Sequence, residues 1–164
     1  MDTIFCSLDQ STKKTGWCIW QNGIYKESGL IDHEKEKDAS RRFAKMTIDI
    51  FTLLDRYKPV VLYIEDTALQ RNVKTLKELS QLQGTIIGYA VAKDIDVQII
   101  APSEWRKILG IKTGAGIKRE ALKKECLEWV ERNIGITRSE DEIEAIAIGA
   151  AVLALWNCDV EWRN

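Results

Sequence analysis

The sequence predicts one α/β domain: a mixed five-stranded sheet, three antiparallel strands followed by parallel ones, flanked by helices. Three observations lead there. Short β-branched apolar runs alternate with longer amphipathic segments. The first three runs are joined by tight turns, as in a meander, and the later ones are separated by helical patterns, as in parallel crossover units. A length of 164 residues with 45% apolar content suits a single domain, residues 1–164, with one core.

Taken in order, Thr3 to Leu8 is an apolar run that reads as a buried strand closing on Asp9. A turn is expected over Ser11–Gly16, a strand over Trp17–Trp20, an Asn22-Gly23 hairpin turn, and a third strand over Ile24–Leu30. Phe43, Met46, Ile50, Leu53, Leu54 and Tyr57 share one face of a helix predicted from Ala39 to Tyr57, which Pro59 stops. Val60 to Ile64 is a β-branched run that ends on Glu65. A helix over Asn72–Lys93, a strand over Val97–Ala101 and a short helix from Ser103 follow. A loop carrying Gly110, Gly114 and Gly116 then leads into a helix reaching Asn133. The last helix starts at Ser139, with Glu142 placed for a capping box, and runs to about Asn157. This order of elements describes an RNase H-like fold.

Composition narrows the function. No signal peptide and no membrane-length apolar run is evident, so a soluble, cytoplasmic protein without membrane association is expected. Cys6, Cys18, Cys126 and Cys158 have no zinc-like or CxxC spacing and read as reduced core thiols. His33 is the single histidine and lies in a charged stretch, which argues against a Ser-His hydrolase or a His-ligated zinc enzyme. The net charge is −1, but it is unevenly spread. Ser103–Lys124 carries seven bases against two acids, while residues 125–164 carry nine acids against three bases. Phosphate binding needs a local basic surface rather than a basic total.

The chemistry lies in four acids. Asp9 and Glu65 end two apolar strands, and neighbouring parallel strands bring such ends together on the side of the sheet where ligands bind. Asp141 and Glu144, three residues apart, share a face near the start of the last helix. Carboxylates from separate elements converging in this way suit hard divalent cations.

These residues carry a family resemblance. Leu8-Asp9-Gln10-Ser11-Thr12-Lys13-Lys14-Thr15-Gly16-Trp17, Tyr63-Ile64-Glu65 and Asp141 through Ile148 resemble, in order, the acidic motifs of RuvC-type Holliday-junction resolvases, over nearly the whole chain. The resemblance implies a homodimeric endonuclease that cuts opposed strands of a four-way DNA junction and leaves ligatable nicks. It implies two Mg²⁺ or Mn²⁺ ions per site, with Asp9 bridging both, Glu65 holding one, and Asp141 with Glu144 completing the set. One cation acidifies the attacking water and the other neutralises charge on the leaving 3′ oxygen. Lys118, at the start of a helix after the Gly-rich loop, best matches the family's basic residue near the scissile phosphate. Arg106, Lys107, Lys112 and Arg119 are expected to contact the DNA backbone. Lys13 and Lys14 lie on the turn after Asp9, and Arg71, Lys74 and Lys77 are placed to track a junction arm. Trp105 is either core or a stacking surface for a base.

Three departures from the bacterial pattern stand out: Glu144 where Asp is common, no aromatic in Asp66–Arg71 to wedge at the junction, and a longer loop at Ile111–Gly116. They suit a phage-type member, which would act in the host cytoplasm. Gly84, Gly88 and Ala92 recur every four residues, for close approach of either a partner helix or the chain's own sheet. Two other readings compete: a junction-binding module with impaired catalysis owing to Glu144, and an actin-like ATP-binding fragment, whose phosphate hairpin Asp9–Gly16 resembles.

Overall fold

The computed structural model describes residues 3–67, 72–114 and 116–156. The elements are β1 (Ile4–Asp9), β2 (Lys14–Gln21), β3 (Ile24–Asp32), α1 (Ala39–Tyr57), β4 (Val61–Glu65), α2 (Val73–Ala92), β5 (Asp96–Ile100), α3 (Pro102–Ile108), α4 (Arg119–Ile134) and α5 (Glu140–Trp156). They build one five-stranded sheet in the order β3-β2-β1-β4-β5. The β1/β2 and β2/β3 pairs are antiparallel, and the β1/β4 and β4/β5 pairs are parallel. The expected mixed sheet is therefore present, in an RNase H-like arrangement.

Alternation along the strands divides the core in two. Phe5, Trp20 and Tyr63 face one side, where they pack with α3, α4 and α5. Cys6, Leu8, Ile19, Leu62 and Ile64 face the other, against α1 and α2. Cys6, Cys18 and Cys126 are buried free thiols, and Cys158 lies outside the described residues. Burial pushes all three thiols well above their ordinary range, so they are packing groups.

The helices begin and end where local chemistry directs. Asp38 caps α1 by accepting from Arg41 N, and Lys58 in the left-handed region closes it one residue before Pro59. Asn72 caps α2 through Lys74 N and Thr75 N. Asn22 and Gly23 both have positive φ, as the short hairpin turn requires. At α5, Ser139 donates to the Glu142 carboxylate at 2.8 Å, so the expected capping pair meets side chain to side chain.

Two boundaries differ from expectation by more than one residue. β2 starts at Lys14 instead of Trp17, because Thr15 ties the preceding turn through its hydroxyl, accepting from Ser11 N and donating to Ser11 O. That leaves Gly16 in the strand, paired with Asp9. β3 continues to Asp32, which pairs with Lys14.

Helix α5 is apolar almost all round and lies close over β1 and β2. Ser7 Oγ donates to the Ala145 carbonyl at 2.7 Å, and a Cβ on Gly149 would overlap the Trp20 indole. Gly84 and Gly88, in contrast, have nothing within 4 Å of the position a Cβ would take. The small-residue stripe of α2 faces outward, so packing on the chain's own sheet does not account for it. Among the described residues no helix is long and apolar enough to cross a membrane.

Candidate metal centre and its basic surround

Parallel pairing of β1 with β4 sets Asp9 and Glu65 side by side, one step beyond the Leu8–Ile64 pair. Gln10 fixes that juncture by donating Nε2–H to the Glu65 carbonyl at 2.6 Å. On the other flank of Asp9, Gly16 allows α5 to come in: a Cβ there would overlap the Asp141 carbonyl. Asp141 is thereby held beside Asp9, and Glu144, one turn further along α5, is buried. All four predicted acids meet at one end of the sheet.

Their electrostatics shows how closely. The Asp9 carboxyl is pushed well above its ordinary range, first by burial, then by the charges of Glu144 and Glu65, a hydrogen bond with Glu144, and the charge of Asp141. Glu65 is also raised by burial; a hydrogen bond from Trp105 opposes this, Glu144 adds to it, and Arg106 and Arg119 oppose it. Asp141 is raised by burial and by Glu144, against the charges of Lys123, Lys14 and Arg119. Asp9 is the group on which the other three act.

The donor set suits a hard divalent cation: four carboxylates in a partly desolvated site, with Asp9, Glu65 and Asp141 each raised above its ordinary range, and no thiol or imidazole among the four. Among the described residues no three acidic, Cys or His side chains are drawn into a tight coordination shell. Two of the carboxylates are held by protein donors instead. Trp105 donates its indole N–H to Glu65 Oε1 at 2.8 Å, and Arg106 donates Nη2–H to Glu144 Oε1 at 3.2 Å. The neighbours Glu140 and Glu142 do not compete. Glu140 pairs with Lys123, while Glu142 binds Ser139 and accepts from Ser28 at 3.3 Å.

The predicted basic residues divide into several groups. Arg106 is no open backbone contact: its side chain is only 14% exposed, spent on Glu144 and on the face of Trp105, 4.4 Å from the ring centroid. Trp105 is fully buried, which removes it as a stacking surface for a base. Lys14 pairs with Glu34 at 2.8 Å and with Asp32 at 3.9 Å. Lys13, Lys74, Lys107, Lys112 and Lys118 are exposed, and Arg71 lies outside the described residues, as do residues 68–70 of the expected wedge position. Lys118 is the N-cap of α4. Its neighbour Arg119 is the cation of that segment whose charge reaches Glu65 and Asp141.

Sequence reasoning missed three contributors. Lys123 lies four residues after Arg119, so helical spacing could have placed both on the face turned to the acids. Gln10 and Trp105 act through tertiary contacts that no local pattern announces. Beside Glu144, a cavity of about 240 Å³ between α4 and α5 is rimmed by Lys123, Lys124 and Arg138.

Comparison with known proteins agrees with this arrangement. A sequence profile of the family described as "Crossover junction endodeoxyribonuclease RuvC" matches residues 6–152. The RuvC crossover junction endodeoxyribonuclease of Prochlorococcus marinus is 30% identical over 133 residues, covering 79% of this chain and 80% of the relative. That of Hydrogenovibrio crunogenus is 27% identical over 149 residues, covering 88% and 83%. Among solved structures, T. thermophilus RuvC in complex with a Holliday junction substrate superposes with a TM-score of 0.74 at 14% identity, covering 94% of this chain and 95% of that one. The yeast mitochondrial Holliday junction resolvase Ydc2 gives 0.55 at 14% identity, covering 91% and 78%. The fold, the order of the acidic motifs and the extent of the profile match together show that this chain belongs to the RuvC family of crossover junction endodeoxyribonucleases.

Proposed function

We propose that the chain is a structure-selective endodeoxyribonuclease that resolves four-way DNA junctions, and other branched DNA, by paired nicks with 5′-phosphate ends. The observation that carries this reading is the convergence of Asp9, Glu65, Asp141 and Glu144, with Asp9 under the influence of the other three. These four carboxylates would hold Mg²⁺ or Mn²⁺, two ions per site. Bound there, the metal supplies Lewis acidity, acidifying water and neutralising charge on the leaving 3′ oxygen. The chain's own part is to orient and to balance charge. Arg119, Lys123 and Lys14 offset the acids, and the exposed Lys13, Lys107, Lys112 and Lys118 offer cations to backbone phosphates.

Paired nicking needs two sites, and the outward stripe of Gly84, Gly88 and Ala92 on α2, a helix that also exposes Val73 and Val91, suits close approach of a second copy. A DNA enzyme of this kind would work in the cytoplasm. The Arg106–Glu144 pair is the one observation that favours junction binding without cutting, because it occupies a carboxylate the metals would need.

Incubation of the purified protein with synthetic four-way junctions, forks and linear duplex, with and without Mg²⁺ or Mn²⁺, separates the readings. Metal-dependent, symmetric nicking of the junction supports resolution. Tight junction binding with every strand left whole supports the binding module.

A further inference from the structure

We propose that Trp105 is a positioning residue for the metal centre. Its indole N–H holds Oε1 of Glu65, so that Oε2 is the oxygen offered to a divalent cation. This inference rests on reading the four acids as a metal site.

Glu65 ends a strand, and its side chain has three torsions to fix before the carboxylate is aimed. Trp105 supplies the restraint, at 2.8 Å. The indole is itself immobile: fully buried, seated in the core cluster shared with α5, and covered by the Arg106 guanidinium. Arg106 in turn reaches Glu144, so two consecutive residues of the seven-residue helix α3 tie an acid of β4 to an acid of α5.

The two donors differ in a way that matters for metal loading. Indole N–H is a neutral donor with no acceptor capacity, so it neither takes up a proton nor competes by charge with a cation for the carboxylate. Trp105 can therefore stay on Glu65 while metal is held. Arg106 is a full positive charge on Glu144 and competes with a cation for that oxygen. Glu65 is thus set beforehand by a permanent contact, whereas Glu144 must exchange its partner. Donors that orient a metal ligand from behind typically account for about 10–100-fold in metal affinity.

Trp20 provides the matching control. It is buried to a similar depth in the same cluster, and its indole nitrogen has no hydrogen-bond partner. Trp20→Phe therefore reads the loss of ring volume alone, and Trp105→Phe reads volume plus the N–H.

Calorimetric titration of the DNA-free protein with Mn²⁺ compares wild type, W105F and W20F. W105F is expected to bind about tenfold more weakly, while W20F stays close to wild type. Single-turnover junction cleavage by W105F falls at low Mn²⁺ and recovers as Mn²⁺ saturates. If W105F titrates Mn²⁺ like a wild type that binds and cleaves, the role of Trp105 is overturned by itself. If wild type takes up no Mn²⁺ and leaves junctions whole, the nuclease reading falls and this inference falls with it. Should W105F not fold, wild-type protein labelled with ¹⁵N gives the answer directly. The Trp105 indole N–H resonance is expected to keep its hydrogen-bonded, downfield position as Mg²⁺ is added, and a return upfield on Mg²⁺ addition would refute the proposal.

Discussion

Gly16 and Asp141 touch backbone to backbone: a single methyl group on Gly16 would overlap the Asp141 carbonyl. Because Gly16 is also the cross-strand partner of Asp9, this contact sets how close the α5 acids come to the β1 acid. G16A is expected to destabilise the fold by about 1–3 kcal/mol, the usual cost of overpacking. It should also weaken Mn²⁺ binding more than stability, since the shift falls on the site. Urea unfolding and Mn²⁺ calorimetry on the same protein measure both.

Removing the guanidinium from Arg106 leaves Glu144 buried without its partner. R106A is expected to cost about 3 kcal/mol in the absence of metal, as for other broken buried pairs, and less in saturating Mn²⁺, where a cation can take its place. The contrast between denaturation midpoints with EDTA and with Mn²⁺ tests the exchange of partners at Glu144. Equal losses under both conditions would count against it.

The raised carboxyls make metal-free stability pH-dependent. Asp9, Glu65 and Asp141 hold their protons more tightly folded than unfolded. The folded state therefore carries more protons from about pH 4, the ordinary carboxylate value, up to their raised values, and across that window stability falls as pH rises. Asp9→Asn removes the largest of these effects, so its stability advantage over wild type in EDTA should grow with pH. Adding Mg²⁺ should reverse that order, since at a hundredfold excess over Kd a ligand stabilises its protein by about 2.7 kcal/mol. Melting temperatures at several pH values, with and without Mg²⁺, check both signs.

Gly84 and Gly88 face open space, so bulk placed there has nothing to strike within the chain. G84L/G88L is expected to leave the monomer's fold intact while driving a dimer toward monomer and turning paired nicks into unpaired ones. Light scattering reads the mass, and a cruciform plasmid distinguishes one nick from two.

Much of the fold was legible because each acid punctuates an apolar pattern. A run ending in Asp9, a second ending in Glu65 and a helix carrying Asp141 in its first turn place three elements at one sheet end before any contact is known. What was not legible depends on long-range contact. Gly16 read as a turn residue because glycine in a polar stretch signals a turn, whereas its use here is to admit α5. Arg106 looked like one more member of a basic surface because charge counting cannot show which base turns inward. Trp105 is forty positions from Glu65, and an aromatic at that spacing has no local signature beyond core.

The most direct test of the four-acid centre is cleavage of a synthetic four-way junction in Mn²⁺ by wild type and by Asp9→Asn, with junction binding measured in parallel. The expected result is symmetric, metal-dependent nicking by wild type, a loss of about a hundred- to a thousandfold in D9N, the scale on which removal of a single charge-stabilising group slows catalysis, and binding within a few-fold of wild type. Cleavage by D9N at the wild-type rate would contradict the assignment of Asp9 as the centre of the site.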